Sequence, residues 1–157
     1  QQVQFVDTST GGSDTVLVES SGENSAWAVA VKSPEQCLGK VCASVTFLDW
    51  NGQPSAARTV LSFDPIESTP HIPGATQSTN NQGVSLVPNP ESGKQAYLGY
   101  GQTLLLIERT TEGQDATAAF KIVWSKEIQV QESAYCTVAS LKAISGTLAV
   151  GLDCLSH

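Results

Sequence analysis

Three observations predict an all-β protein: short runs that alternate apolar and polar residues, turn residues between nearly all of them, and no long amphipathic helical pattern. The expected architecture is an antiparallel β-sandwich or a jelly-roll-like barrel of about ten strands, with one short helical turn. The 157 residues suit a single domain spanning 1–157. Hydrophobic residues make up 40% of the chain, enough to exclude a disordered polymer that could not offset its ordering entropy. Charged residues make up only 15%, below the roughly 25% of an average soluble protein.

In chain order, Val3 and Phe5 alternate with Gln2 and Gln4, and this run ends in the Thr8–Gly12 turn residues. Val16-Leu17-Val18 follows, and Ser20-Ser21-Gly22 breaks the chain. Trp27, Val29 and Val31 share one strand face, while Ala28, Ala30 and Lys32 make the other. Ser33-Pro34-Glu35-Gln36 has the cap, first-turn proline and glutamine of a helix start, and Gly39 stops it after little more than a turn. The simpler reading is a short connector between Cys37 and Cys42.

Val41 to Phe63 reads as a hairpin around Asn51-Gly52-Gln53-Pro54. A two-residue turn would set Phe47 opposite Ala56, whereas an odd-length loop sets Phe47 opposite Ala57 and Val45 opposite Thr59. The hydrophobic pattern favours the odd loop, because Leu61 then faces Ala43. Residues 64–93 form a long irregular loop holding Pro65, Pro70, Pro73, Pro88 and Pro90, with only Val84–Val87 strand-like. Such a stretch serves either as a crossover between sheets or as a binding loop.

Strands resume at Ala96–Leu98 and Thr103–Glu108, with a break near Gly99-Tyr100-Gly101. Glu112–Asp115 turns the chain into a strand at Ala116–Trp124, and Ile128 and Val130 alternate with glutamines beyond it. Tyr135–Leu155 folds about Ile144-Ser145-Gly146. A three-residue loop with Gly146 left-handed would bring Cys136 opposite Cys154.

The even count of four cysteines suits two disulfides in an oxidising compartment, and the economical pairing is Cys37–Cys42 with Cys136–Cys154. Neither spacing matches a paired CxxC metal motif, so no metal or cofactor is expected. The absence of an initiator Met fits a mature chain released from a signal peptide, hence a secreted, extracellular or cell-surface location. No apolar run approaches membrane-spanning length. Fifteen acidic residues against eight basic ones give a net charge of −7, which disfavours a nucleic-acid partner.

Catalytic constellations are scarce. The two histidines, His71 in the proline-rich loop and His157, have no nucleophile-elbow motif to serve. A facing carboxylate pair would have to come from Glu19, Asp49, Glu108 and Glu127, each explained equally well as a surface charge. The expectation is therefore a protein that is not an enzyme.

Two binding classes remain. Trp27, Trp50 and Trp124 sit among apolar neighbours and read as core. Tyr97, Tyr100 and His71 are the candidates for contacting a glycan or a protein ligand such as a protease, as a monomeric binding module would. The favoured reading concerns residues 1–10, an exchangeable strand in which Val3, Phe5 and Val6 insert into the sheet of a neighbouring copy. Repeated head to tail, such a contact makes a homo-oligomer or polymer, a filament by analogy with pilin-like sandwiches.

Overall fold

The computed structural model describes residues 15–22, 24–32, 34–49, 55–64, 84–109, 120–128 and 134–156. The first sheet is a meander of β1 (Thr15–Ser20), β2 (Ser25–Lys32), β3 (Val41–Asp49) and β4 (Ser55–Phe63). A second meander joins β5 (Ser85–Pro88), β6 (Gln95–Tyr100), β7 (Thr103–Arg109) and β8 (Phe120–Glu127). The hairpin of β9 (Ala134–Ile144) and β10 (Thr147–Ser156) is a third sheet. All neighbouring strands are antiparallel. The arrangement is an open sandwich, and among the described residues no sheet closes into the barrel of the alternative expectation. The anticipated helical turn is a single 3-10 turn at Pro34–Gln36, held beside the Cys37–Cys42 disulfide.

Alternation in the sequence becomes a shared core. From β2 and β3 come Trp27, Val29, Val31, Val41, Ala43, Val45 and Phe47; from the second sheet come Leu86, Ala96, Leu98, Tyr100, Leu105 and Ile107. Cross-strand pairing sets Trp27 beside Phe47, where the rings meet edge to face with centroids 4.9 Å apart. Phe47 lies opposite Ala57, Val45 opposite Thr59 and Ala43 opposite Leu61, the register of the odd-length loop. The turn residues Asn51–Pro54 themselves lie outside the described residues.

Aromatic contacts join the sheets at both ends. Trp27 meets Phe120 at 5.3 Å between centroids, and Phe63 meets Tyr100 at 5.2 Å. At the Trp27 end, Arg109 lays its guanidinium 4.7 Å from the Phe47 ring centre and brings Nη1 within 3.5 Å of Asp49 Oδ2. Ser21 Oγ donates to the Gly93 carbonyl at 3.1 Å, a further tie between the first meander and the turn before β6. β4 belongs to the first sheet and β5 to the second, and residues 65–83 of the expected long loop lie outside the described residues.

The alanine face of β2 points away from the second sheet and is buried as well. Ala28, Ala30, Ser44 and Thr46 are between 0% and 4% exposed. Ser44 Oγ and Thr46 Oγ1 find no hydrogen-bond partner among the described residues.

The β9–β10 hairpin seats against the outer face of the second sheet. Val138 packs on Gly99, where an added Cβ would lie 2.7 Å from Val138 Cγ1. The Val138 amide donates to the Gly101 carbonyl at 2.7 Å. Gly99 is therefore the point of closest approach between the layers, and β6 runs through it to Tyr100 rather than breaking there.

The hairpin turn differs from the three-residue loop anticipated. Thr147 pairs with Ile144, leaving a two-residue turn in which Ser145 and Gly146 have φ of 29° and 78°. Primed two-residue turns of this handedness match strand twist. That register alone would misalign the cysteines by one residue. A bulge restores it: Gly151 pairs with Ser140 but Leu152 pairs with Val138, so Ala139 is the extra residue. Cys136 then lies opposite Cys154, with 4.1 Å between Cα atoms, and the disulfide forms. The Ala139 carbonyl accepts from Ser85 Oγ at 3.3 Å.

Two substitutions test this packing. Gly99→Ala is expected to lower unfolding free energy by about 1–3 kcal/mol through overpacking against Val138. In denaturant titrations the Gly99→Ala/Val138→Ala double variant should lose less than the two single losses summed. Thr46→Val, which removes a buried hydroxyl without a partner at nearly constant volume, should raise stability by about 1 kcal/mol in the same assay.

Candidate functional site

Sheet edges and the outer face of the second sheet are the two places where the fold exposes chemistry. A strand at a sheet edge offers unpaired backbone groups to another chain unless it is shortened, charged, bent or covered. The second sheet is guarded on both sides. Its β5 edge has only four residues, ends in Pro88 and meets β9 through Ser85. Its β8 edge exposes Ile122 and Val123 but carries Lys121, Lys126 and Glu127, all exposed, around them and is bent by a bulge.

The first sheet differs. Its β1 edge exposes Val16 and Val18 at 48% and 61%, with Glu19 as the single charged residue. On β4, Val60 is 53% exposed. Among the described residues no further strand pairs with either edge. The segment expected to donate a strand, with Val3, Phe5 and Val6, lies outside the described residues.

On the outer face of the second sheet the structure separates the expected ligand-binding residues. Tyr100 is 3% exposed and packs on Phe63 in the core, so it is unavailable to a ligand. Its position follows from β6 parity, which points Ala96, Leu98 and Tyr100 inward and Tyr97 outward. His71 lies outside the described residues. Tyr97 gains a partner that sequence reading placed in the core: Trp124, with ring centroids 6.0 Å apart and planes at 47°.

A second bulge moves Trp124. Leu106 pairs with Trp124 but Ile107 pairs with Ile122, so Val123 is an extra residue and Trp124 leaves the face shared by Phe120 and Ile122. Simple alternation would have put Phe120, Ile122 and Trp124 together inside. The available signal was Lys121 and Lys126, which have opposite parity and can both face solvent only if the strand slips between them.

Trp124 and Tyr97, each partly exposed, flank buried Leu106 in one cross-strand row. Lys126 holds Nζ 4.8 Å from the centre of the Trp124 ring. The adjoining row is polar and continuous. Asn89 Nδ2 donates to Gln95 Oε1 at 2.9 Å, Gln95 Nε2 donates to Glu108 Oε1 at 3.1 Å, and Lys121 Nζ lies 3.0 Å from Glu108 Oε2. Lys121 and, secondly, Gln95 hold the Glu108 carboxyl below its ordinary range.

The carboxylates considered for hydrolysis do not converge. Asp49 is turned to Arg109 on the inner face, Glu108 is engaged on the outer face, and Glu19 and Glu127 are exposed at separate edges. Among the described residues no group of three or more His, Cys, Asp or Glu side chains could hold a metal ion. None of the described helical segments is long and apolar enough to cross a membrane. The four cysteines are paired as expected.

The pH behaviour of the polar row follows from its partners. Because Glu108 binds its proton less readily in the folded state, its contribution to stability is present above the unfolded-state range and is lost as pH falls through the folded value. An NMR titration should show the Glu108 midpoint below the ordinary 4.5. Lys121→Met should move it upward, and Gln95→Ala should do so to a smaller extent.

Compared with known proteins, the chain matches no protein-family model, no curated protein and no solved structure.

Proposed function

We propose that this is a secreted, non-enzymatic structural protein that assembles by donating its N-terminal strand to a neighbouring copy, as an extracellular filament or surface subunit. The observation that supports this reading is that, among the described residues, no further strand pairs with β1 or β4, whose Val16, Val18 and Val60 are exposed, whereas β5 is cut short at Pro88 and β8 is bent by a bulge and sets Lys121, Lys126 and Glu127 around its exposed Ile122 and Val123. Residues 1–14 directly precede β1 in the sequence, so in this reading they supply the donated strand, and β4, with which no further strand pairs among the described residues, accepts it.

Main-chain hydrogen bonds along β4 supply affinity in such a pairing, and Val3, Phe5 and Val6 supply the inserting side chains. Donor and acceptor are different surfaces, so the contact is heterologous and propagates as an open polymer unless its rotation closes a ring. A surface poor in charge favours this packing, because few charges need desolvation when identical subunits meet. Two disulfides suit the oxidising environment in which an extracellular assembly must persist.

Native mass spectrometry and electron microscopy test the proposal on the full chain. Oligomers or filaments are expected, and they should be lost on removal of residues 1–10, with Phe5→Asp, and with Val60→Lys on the accepting edge. A chain that stays monomeric, or polymers that survive all three changes, would overturn it.

A further inference from the structure

We infer that the Tyr97–Trp124 row is a glycan-binding platform for a neutral polysaccharide built from pyranose rings with equatorial hydroxyls. This site is independent of strand donation, since it lies on the second sheet while the open edges belong to the first.

The arrangement matches the two-sided chemistry of such a ring. A pyranose with equatorial hydroxyls shows weakly polarised C–H bonds on its faces and places its hydroxyls around the rim. The faces stack on aromatic rings, whose π surfaces are electron-rich, and the rim needs donors and acceptors lying to the side. Here Tyr97 and Trp124 supply the stacking surface, 6.0 Å between centroids, with Leu106 as apolar floor. One side-chain row along, Gln95, Glu108 and Lys121 supply amide, carboxylate and ammonium groups already linked to one another. Rows on one face of a sheet repeat at about 7 Å. That spacing lets a ring seated on the aromatics reach the polar row with its hydroxyls. Lys126 Nζ lies over the Trp124 ring, 4.8 Å from its centre, and sets a further donor at that face.

The bulge at Val123 is the feature that builds the platform, for without it Trp124 would fall on the inner face with Phe120. Bulges that re-aim a side chain concentrate near functional sites. Keeping Trp124 outside sets it, partly exposed, beside Tyr97 over Leu106 instead of in the core shared by the two sheets. A partly exposed row running across β6, β7 and β8 suits an extended polymer better than a small ligand, which would need a concave pocket. A net charge of −7 disfavours a polyanionic chain as the occupant.

Isothermal titration and intrinsic fluorescence with cellohexaose, chitohexaose and xylohexaose test the inference, with insoluble cellulose and chitin for pull-down. At least one hexasaccharide should bind, and Trp124→Ala or Tyr97→Ala should weaken it roughly tenfold. Gln95→Ala should have a smaller effect. Trp124→Phe, which keeps an aromatic face, should retain the fold by circular dichroism and bind between the wild type and Trp124→Ala. Absence of binding to every probe at millimolar concentration would overturn the inference. So would binding that Trp124→Ala and Tyr97→Ala leave unchanged, or a row that engages only a peptide or protein surface.

Discussion

Strand parity is the constraint on which the rest of this structure depends. Successive side chains of a strand meet opposite environments, so a slip of one residue exchanges every inward group for an outward one. In β2 and β3 parity runs unbroken and assembles Trp27, Val29, Val31, Val45 and Phe47 into one wall of the core. In β8 and β9 it is broken once in each, at Val123 and Ala139. The first slip sends Trp124 to the outer face. The second lets Cys136, Val138, Leu141 and Ala143 share one face against the uninterrupted alternation of Leu148, Val150, Leu152 and Cys154.

The second slip also explains how a tight turn and a disulfide coexist. A two-residue turn sets one register and the cysteines require another, so the extra residue lies between them. The free carbonyl at Ala139 is met by Ser85 of the neighbouring layer, which turns a local irregularity into a contact. Val138, just beyond it, seats on Gly99 and donates its amide to Gly101. Turn, bulge, disulfide and interlayer packing are thus one mechanical unit.

At the opposite level of organisation, the few charges take up definite positions once the strands are in place. On the second sheet, Lys121, Lys126 and Glu127 lie on β8 and Glu108 on β7, where they charge an edge and frame the Tyr97–Trp124 row. The first sheet carries Glu19, Lys32, Asp49 and Arg58 on its strands and exposes Val16, Val18 and Val60 on β1 and β4. Arg109, stacked on Phe47 and paired with Asp49, is the exception that spans the two sheets, and its placement at the rim keeps part of the guanidinium near solvent.

How much of this could be read in advance differs from element to element. The all-β class, the strands from β1 to β7, the odd register of the β3–β4 hairpin and both disulfides followed from the sequence alone, because alternation, turn residues and cysteine spacing are local properties of the chain. The inward role of Tyr100 and the outward role of Trp124 did not. Tyr100 stood between glycines that imitate a turn, and only the packing of β6 against Phe63 showed that the strand continues. Trp124 sat in apparent alternation with Phe120 and Ile122, and the extra residue at Val123 is fixed by pairing with β7. The three-residue spacing from Val138 to Leu141 hinted at the slip in β9, yet a hint in one strand has no meaning until its partner supplies the register. Composition and local pattern therefore determined which strands form. Tertiary structure decided which way their side chains point, because facing is a relation between two strands and cannot be encoded within one.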